Sequence, residues 1–532
     1  MTLHGSRVNV FLAHLSDFRN FQRPFIILLA IFSTFYFLQL VGFSLSIDDE
    51  VAALREDPAP WVGQGRWLIY VLERFILSQP VLPFFTLFTF GVLVSASYIV
   101  LGKAHSYRTD SAPLFLLFAL FAAFPTLYFI LNFAANTVGL GIGILLACMC
   151  VLLFDRAVAA LLAGERLRSE AAGRFLLQAG LGTAAIGAYQ SLILLVAVGC
   201  CGVFILRYLR SPGISWRQVA VIHAYLAFVI LASVLLGLLL ARGFQMALGV
   251  APIYIENFLR PDALLHGPGA VFGKLVKQYW QVYGGKRSVY GFRYWTFPAL
   301  ILLGVFALTA RVPDRTAARL VFTFLYLMGM TAIPFGLNIV AGGTVPYRTL
   351  VAVPYVFWFL AAGAVLSDSA AVRRIAVILV VIVAAQCLYT FSAFQASRRL
   401  AFEHDVQLAS RIYERIATEI PNFDRTKVYR ADFYGALGFD SIYRDALHST
   451  ISASFFEWDG GNPHRIASIL KILGYSNIVA LDEKRRRALL PVIQQMPIWP
   501  ANGSVRVVDD VVLVRLGQQP GTVHRKLLAA GD

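Results

Sequence analysis

The stretch 25-FIILLAIFSTFYFLQLVGFSLSIDDE-50 decides the fold of this chain. An apolar run of about twenty residues is long enough to span a lipid bilayer as a helix. This run ends directly at three consecutive carboxylates, Asp48, Asp49 and Glu50. Because ionisable groups are costly in lipid, the acids mark the place where the chain leaves the membrane. We therefore expect a membrane protein whose first loop opens with an acidic cluster.

The composition extends this expectation to the whole chain. Of its 532 residues, 58% are hydrophobic and 14% are charged, whereas about 25% of a typical soluble domain is charged. The mean hydropathy is +0.68. The net charge of +16 is explained by basic cytoplasmic loops, so we expect no nucleic-acid partner. All five cysteines lie in apolar runs, which predicts buried thiols rather than disulfides.

The predicted fold class is mainly α: a polytopic helical membrane protein with about eleven spans and a small C-terminal α/β domain. The spans are predicted at residues 25–46, 80–101, 113–131, 133–154, 175–188, 190–207, 218–241, 294–310, 318–340, 350–367 and 373–393. The stretch 175–207 could also form one tilted helix, but 187-GAYQS-191 in its middle is typical of a tight turn.

Lysine and arginine orient these spans. With a cytoplasmic N-terminus every inner loop is basic, through Arg7, Arg19, Arg23, Lys103, Arg108, Arg156, Arg166, Arg168, Arg174, Arg207, Arg210, Arg217, Arg311, Arg315, Arg319, Arg373 and Arg374. The first loop, 47–79, then lies outside with six acids against three arginines. An odd number of spans places the C-terminal tail outside as well.

The outer loop 242–293 departs from this pattern, because it holds seven basic residues against Glu256 and Asp262. Two interpretations stay open. Long loops cross the membrane regardless of their charge, and a basic outer loop could also hold a lipid phosphate.

The tail, residues 398–532, has a mixed pattern and follows a membrane domain at 1–397. Helices are predicted at 402–419, 464–473 and 483–495, and strands at 426–431 and on both sides of an Asp-Asp turn in 505–516. This pattern predicts a small soluble α/β domain on the outer face.

The acidic cluster allows a structural and a catalytic interpretation. Ser46 followed by Asp49 fits a capping box at the start of a helix running into 51-VAALRE-56. Alternatively, a carboxylate accepts the proton of a sugar hydroxyl while that hydroxyl attacks an anomeric carbon. Neighbouring carboxylates raise one another's pKa, which makes one of them a better base. In the catalytic interpretation Asp48 or Asp49 is the base and Glu50 orients the acceptor.

The rest of loop 47–79 supports the second interpretation through a resemblance. After a Pro- and Gly-rich break, 67-WLIYVLERF-75 is amphipathic and suits a membrane interface. A capped helix, a break and an interfacial helix resemble the first outer loop of the GT-C glycosyltransferases. The order of 48-DDE-50, 65-GRW-67, 189-YQS-191, 346-PYR-348 and the end 497-PIWPANGSVRVVDDVVLVRL-516 is similar to the Gtr family of serotype-converting O-antigen glucosyltransferases.

The resemblance implies an activity, partners and a location. A hexose, typically glucose, would move from undecaprenyl phosphate to an O-antigen, lipopolysaccharide or other surface glycan at the periplasmic side of a bacterial inner membrane. A synthase for the lipid-linked sugar and a small flippase would be its companions. One displacement at the anomeric carbon would invert its configuration.

The donor phosphate needs outer-face cations, and four candidates are present. They are Arg348, Arg66, Lys286 and Arg287. Arg348 has the best placement, as a single cation in a short apolar loop, although it could be a snorkelling anchor. Lys286 and Arg287 could equally be a solvated loop tip.

The remaining candidates are polar or aromatic groups near the outer face. Tyr189, Gln190, Tyr347 and Trp67 would contact substrate, while Tyr189 and Gln190 could instead tie two helices together. Asn132, Asn136 and Asn338 are expected to serve helix packing. Three carboxylates could hold Mg²⁺, but a monophosphate donor needs less charge neutralisation and the nine histidines form no cluster, so we favour no metal and no cofactor.

Two other functions use the same lipid carrier. A transporter or flippase would have internal repeats and charged or broken helices at the bilayer midplane, which this sequence lacks. An O-antigen ligase or polymerase would have a large outer loop rich in Arg and His. Loop 242–293 has the basic residues, but His266 is its single histidine.

Overall fold

The computed structural model describes residues 18–55, 57–77, 83–163, 169–211, 213–252, 258–443 and 450–529. The predicted features outside these ranges include Arg7 near the N-terminus, Glu56 of the first loop, the start of the second span at 80–82, the inner-loop residues Arg166 and Arg168, and Glu256 of loop 242–293. Within the described ranges the chain is mainly helical, and each of the eleven predicted spans contains a helix.

Nineteen helices precede the long C-terminal helix in the described ranges. They are α1 (Phe18–Phe35), α2 (Phe37–Val41), α3 (Asp49–Leu54), α4 (Pro60–Gly63), α5 (Trp67–Phe75), α6 (Pro83–Ala104), α7 (Ala112–Ala122), α8 (Pro125–Leu131), α9 (Ala134–Leu162), α10 (Ser169–Ala188), α11 (Leu192–Arg210), α12 (Trp216–Leu248), α13 (Pro261–His266), α14 (Pro268–Tyr283), α15 (Arg287–Tyr290), α16 (Thr296–Thr309), α17 (Ala317–Ala332), α18 (Gly336–Val340) and α19 (Val353–Val365). Short 3₁₀ turns lie at Ile333–Phe335 and Tyr347–Thr349.

Six helices in the described part of the chain are long and apolar enough to cross a membrane. The pair α7 and α8 would make a seventh as one broken span, with a bend of 54°. The predicted turn within 175–207 is confirmed, because α10 ends at Ala188 and α11 begins at Leu192. The total of eleven crossings stays a prediction.

Helix α20 spans Ala370–Glu419 without a break over 50 residues. The helix predicted at 402–419 is present and ends at Glu419, but it continues the last predicted span without a break, so the predicted domain boundary at 397/398 falls inside α20. The physical reason is that neither glycine nor proline occurs between 370 and 419, so nothing stops the helix as its apolar part gives way to an amphipathic part.

The C-terminal domain is built on a four-stranded sheet of order β2-β1-β4-β3. Its elements are β1 (Tyr429–Tyr434), α21 (Pro463–Ile472), β2 (Ile478–Ala480), α22 (Glu483–Gln495), β3 (Val505–Val508), β4 (Val511–Arg515) and α23 (Thr522–Ala529), with a helical turn at Trp458–Gly461. Strand β1 runs parallel to β2 and β4, and β3 pairs antiparallel with β4. The predicted hairpin is confirmed, with Asp509 and Asp510 both at positive φ in its turn.

Two predictions for this domain differ from the structure in detail. The first strand begins at Tyr429, three residues later than predicted, and pairs on both edges. Strand β2 and helix α23 were not predicted. Strand β2 has only three residues, Ile478–Ala480, too few for a pattern of alternation to be recognised.

The segment between α2 and α3 lies between the membrane helices and the C-terminal domain and contacts both. Its residues 43–46 have no regular secondary structure. Leu45 and Ile47 are buried in the hydrophobic core of the C-terminal domain, while the Ser46 hydroxyl contacts the backbone oxygen of Asn132 in the membrane domain. Alternate residues therefore contact opposite partners, and this arrangement positions the acidic cluster between the two parts.

Candidate active site

The acidic cluster lies at the start of α3. Asp48 is the N-cap residue and has left-handed backbone angles, φ 77° and ψ −18°. Aspartate tolerates this conformation better than most residues. The three carboxylates have different partners: Asp49 contacts the membrane domain, whereas Asp48 and Glu50 contact the C-terminal domain.

Asp49 is buried, with 1% of its surface exposed. Its Oδ2 accepts hydrogen bonds from the backbone N and hydroxyl of Ser46 at 3.0 and 3.1 Å, and its Oδ1 accepts one from the backbone N of Ala135 at 3.4 Å. Arg398 Nη2 lies 3.9 Å from Oδ2. Burial raises the pKa of Asp49 to about 6, against the opposing effects of Arg398 and the hydrogen bonds. The carboxylate is therefore a stronger base than an exposed aspartate.

The structure contains part of the predicted capping box. Ser46 N donates to the Asp49 carboxylate, as the backbone of a capping-box residue does. However, α3 begins at Asp49, its N-cap residue is Asp48, and the Asp48 side chain accepts no capping hydrogen bond. Ser46 and Asp49 therefore make one of the two hydrogen bonds that define a capping box, namely the bond from the Ser46 backbone N to the Asp49 carboxylate.

The other two carboxylates face a cation from the C-terminal domain. Arg465 Nη1 bonds the fully buried Glu50, and Arg465 Nη2 lies 2.7 Å from Asp48 Oδ1. Arg465 Nε also lies 2.7 Å from Asp459 Oδ2. Burial raises the pKa of Glu50 to about 7, and Arg465 opposes this rise. Asp48 is the exposed member of the cluster, with 57% of its side chain accessible.

The segment 132–136 comprises the two residues between α8 and α9 and the first three residues of α9, and it contacts the acidic cluster. We call it the α8–α9 junction. The Asn132 side chain donates to the backbone oxygen and hydroxyl of Thr450, each at 3.2 Å. The Asn132 carbonyl accepts from Ser46, and the Ala135 amide donates to Asp49. The junction thus contacts loop 47–79 and the C-terminal domain together.

Two predicted phosphate-binding cations reach the same junction. Arg66 Nη1 donates to Asn136 Oδ1 at 2.6 Å, and its guanidinium carbon lies 4.8 Å from the Tyr189 ring centroid. The guanidinium carbon of Arg348 lies 5.4 Å from the Phe133 ring centroid. Tyr189 Oη also donates to the Arg348 backbone oxygen at 3.4 Å. Arg66, Arg348 and Tyr189 therefore form one cationic and aromatic cluster at the junction.

Two of the sequence motifs pack directly on one another. Gln190 Nε2 donates to the backbone oxygen of Gln64. Trp67 lies so close to Gly187 that a Cβ there would come within 2.3 Å of the indole, which explains the glycine. Trp67 also stacks on Phe244, with ring centroids 5.9 Å apart. The turn 187–191 therefore holds the segment 63–67 in place.

Acidic, cationic and aromatic groups thus meet at one junction near the end of the first apolar run. A sequence profile of the family described as Glucosyl transferase GtrII matches residues 37–363, more than half of the chain. The chain belongs to this family. No curated protein matches it. Membership confirms the predicted resemblance and implies a glucosyltransferase, and the long apolar helices place it in a membrane.

The region shared with the GtrII family contains every predicted site residue, but the structure does not bring all of them together. Tyr347 lies next to Arg348, and its Oη donates to Gln281 Oε1 at 3.3 Å. Lys286 and Arg287 are exposed at the start of α15. No contact within the described ranges connects these two cations with the α8–α9 junction.

Two site residues lie beyond the region matched by the GtrII profile, and sequence reasoning missed both. Arg465 belongs to α21 of the C-terminal domain, and no local pattern links it to the acidic cluster. Arg398 lies in α20 just after the last predicted span, where a cation at the end of an apolar run was the available signal. Asn132 and Asn136 were expected to serve helix packing, but they bond Thr450 and Arg66 instead.

Protein groups engage all three carboxylates of the acidic cluster. The guanidinium group of Arg465 donates hydrogen bonds to the carboxylates of Asp48 and Glu50. Asp49 accepts hydrogen bonds from Ser46 and Ala135. Across the described ranges, no three His, Cys, Asp or Glu side chains are grouped to hold a metal ion.

Proposed function

We propose that the chain is an inverting glucosyltransferase that uses undecaprenyl-phosphate glucose as donor. The acceptor is a surface glycan such as O-antigen at the periplasmic face of a bacterial inner membrane. One observation carries this proposal: the buried carboxylate of Asp49 and the guanidinium groups of Arg66 and Arg348 all meet the five-residue α8–α9 junction. A base and cations at one membrane-boundary site suit a reaction that removes a proton and releases a phosphate.

In this mechanism Asp49 is the general base. Its carboxylate accepts the proton of the acceptor hydroxyl while the hydroxyl oxygen forms a bond to the anomeric carbon. The bond between that carbon and the phosphate oxygen breaks, and its electron pair stays on the phosphate. Attack opposite the leaving group inverts the anomeric configuration. Because Asp49 is buried, the acceptor reaches it only when the packing around α3 opens.

The cations of the site stabilise the leaving phosphate. Arg66 and Arg348 are assigned this role because charge-assisted hydrogen bonds are strongest where water is excluded. Tyr189, Gln190, Trp67 and Tyr347 shape the adjoining surface for the sugars. Lys286 and Arg287, exposed and away from the junction, are assigned to the attraction of anionic lipid head groups. A lipid-linked donor also implies a synthase and a flippase as companions.

A transfer assay tests the function. The purified protein in detergent is given polyprenyl-phosphate glucose labelled in the sugar, together with a lipid-linked glycan acceptor. We expect label to move into the glycan and free polyprenyl phosphate to accumulate in equal amount. Label that crosses a vesicle membrane while it stays on the original lipid would instead indicate a transporter.

The pH dependence of transfer provides a test of the base. A general base acts in its ionised form, and burial raises the pKa of Asp49 from 3.8 to about 6. Transfer should therefore increase as the pH rises through about 6 and level off above it. Because burial raises the pKa of Glu50 to about 7, the profile is also measured in Glu50→Gln, where the inflection near 6 should remain. A flat profile from about pH 5 to 8 in both proteins would contradict this assignment.

The assignment of Arg348 is tested by substitution. Arg348 is half-buried, and a hydrogen bond to a charged group contributes about 1.5–3 kcal/mol. Arg348→Ala should therefore raise the donor KM by about 10–100-fold, and Arg348→Lys should recover only part, since ammonium cannot make the forked contact. Arg374→Ala, an exposed arginine of α20, is the matched control. An unchanged donor KM in Arg348→Ala would assign this residue to membrane anchoring.

Topology is tested with a reporter enzyme that is active only in the cytoplasm. Arg465 of the C-terminal domain contacts Asp48 of loop 47–79, which supports the proposal that the domain and the loop share the outer side. A reporter fused after Asp532 should be silent, whereas one inserted between α16 and α17 should be active. The opposite pattern would invert the proposed orientation.

A further inference from the structure

The basic outer loop 242–293 contacts the turn that carries Arg348. Helix α14 lies within this loop, and residues 341–348, which we call the Arg348 turn, pack against it. A Cβ at Gly343 would lie 2.7 Å from the Cβ of Lys274 in α14, so this close approach needs a glycine. The loop therefore reaches a candidate site residue through packing and not only through its charges.

One buried glutamine of α14 bonds the backbone of the Arg348 turn. Gln278 is 4% exposed. Its Nε2 donates to the Val345 backbone oxygen at 2.7 Å, and its Oε1 accepts from the Val345 backbone N at 3.3 Å. Residues 344–346 belong to no helix or strand, so their backbone groups need partners from outside regular secondary structure. At Val345 the Gln278 amide supplies a partner for both groups.

Asn338 of α18 joins the same network. It is fully buried, and its Nδ2 donates to Gln278 Oε1 and, at 3.0 Å, to the Gly343 backbone oxygen. The Gly343 amide donates in return to the Asn338 backbone oxygen at 2.7 Å. Two side-chain amides from different helices therefore hold the turn at Gly343 and Val345.

A stiff segment connects Val345 with Arg348. Pro346 follows Val345, and its ring restricts φ, which is −55° here. Tyr347–Thr349 then form a 3₁₀ turn, whose last N–H donates to the Pro346 oxygen at 2.9 Å. A shift at Val345 should therefore move Arg348 relative to Phe133 of the α8–α9 junction, whose ring centroid lies 5.4 Å from the guanidinium carbon.

We propose that Gln278 is a positioning residue for glucose transfer. By holding the Val345 backbone, it keeps the Arg348 guanidinium at the α8–α9 junction, where this group meets the leaving phosphate of the donor. Gln278 acts through Arg348 and does not itself touch the substrate. The inference rests on the proposed function, in which Arg348 binds that phosphate.

Gln278→Met tests this role. Methionine has a similar length and no amide, so both bonds to Val345 are lost while the space stays filled. Because a neutral hydrogen bond makes a modest net contribution, the donor KM should rise about 2–10-fold. The acceptor KM should stay unchanged, since the acceptor does not bind Arg348.

Gln178→Met is the matched control. Gln178 is a fully buried glutamine of α10, and its Nε2 also donates to a backbone oxygen, that of Cys150 at 3.1 Å. This variant should lower the melting temperature without changing the donor KM. If both variants raised the donor KM equally, general loosening of the fold would explain the result and the proposal would be wrong.

A double-mutant cycle shows whether Gln278 acts through Arg348. In the Arg348→Ala background, Gln278→Met should change the donor KM less than about twofold, because the group that it positions is gone. An undiminished effect in that background would contradict the proposal. A donor KM that Arg348→Ala leaves unchanged would instead refute the phosphate assignment in the proposed function.

Hydrogen exchange at the Val345 amide gives a readout that does not depend on transfer. In wild-type protein in detergent, followed by fragmentation mass spectrometry, this amide should exchange at least about tenfold more slowly than an unstructured one. Gln278→Met should remove the protection and Gln178→Met should retain it. Fast exchange in the wild type would overturn the proposal even if Gln278→Met failed to fold. Slow exchange that depends on Gln278, in a protein that transfers no glucose, would refute the proposed function alone.

Discussion

Asp49→Asn should lower glucose transfer by roughly 10²–10⁴-fold while the protein stays folded and inserted, since this is the usual contribution of a positioned general base. Asparagine keeps the shape of the side chain, and its oxygen can still accept hydrogen bonds from Ser46. What it loses is the ability to accept a proton. The measurement is the transfer rate of the purified variant, normalised to its folded amount.

Asp48→Asn and Ser46→Ala separate catalysis from capping. If Asp49 is the base, Asp48→Asn should have a smaller effect, because the exposed Asp48 carboxylate pairs with Arg465. Ser46→Ala should be nearly neutral for the chemistry. If the cluster only caps α3, Asp49→Asn should be mild, because Asn caps about as well as Asp, and Ser46→Ala should lower stability most. Near-full transfer in both Asn variants would show that the carboxylates are structural.

Sequence patterns predicted the parts of this protein that depend on neighbouring residues. Apolar runs bounded by arginines located the helices, 187-GAYQS-191 located the turn between α10 and α11, and the Asp-Asp pair located the turn between β3 and β4. Each of these features results from local sterics or from the hydrocarbon thickness of a bilayer. The GtrII resemblance also rested on short motifs, and the profile match over residues 37–363 confirmed it.

The contacts that complete the candidate site depend on residues far apart in the chain. Arg465 and Glu50 are separated by 415 positions, and Asn132 and Thr450 by 318. No spacing rule connects such pairs, because the docking of the C-terminal domain brings them together. Arg398 differs, since an arginine at the predicted outer end of the last apolar run resembles Arg348 in its predicted placement. The same argument that selected Arg348 could have selected Arg398.

Arg465→Ala should destabilise the protein by about 3–5 kcal/mol at neutral to alkaline pH, because it leaves the buried charge of Glu50 without its cation. Glu50 has no exposed side-chain surface, and Arg465 is 14% exposed. The melting temperature of the purified protein in detergent measures the loss. Arg485→Ala is the matched control in the same domain: Arg485 pairs with the 80% exposed Asp510, and because water and salt screen such surface pairs, the melting temperature should barely change.

The pH at which Arg465→Ala loses stability identifies Glu50 as the cause. Burial raises the pKa of Glu50 from 4.5 to about 7, so the folded protein binds a proton there more tightly than the unfolded chain does. Stability from this group is therefore fully present below about pH 4.5 and is lost as the pH rises toward 7. Arg465 opposes that loss, so Arg465→Ala should be mild near pH 5 and severe near pH 8. In the Glu50→Gln background the effect of Arg465→Ala should become small at both pH values. An equal loss at both pH values, or a loss that persists in that background, would assign the role of Arg465 to Asp48 and Asp459 instead.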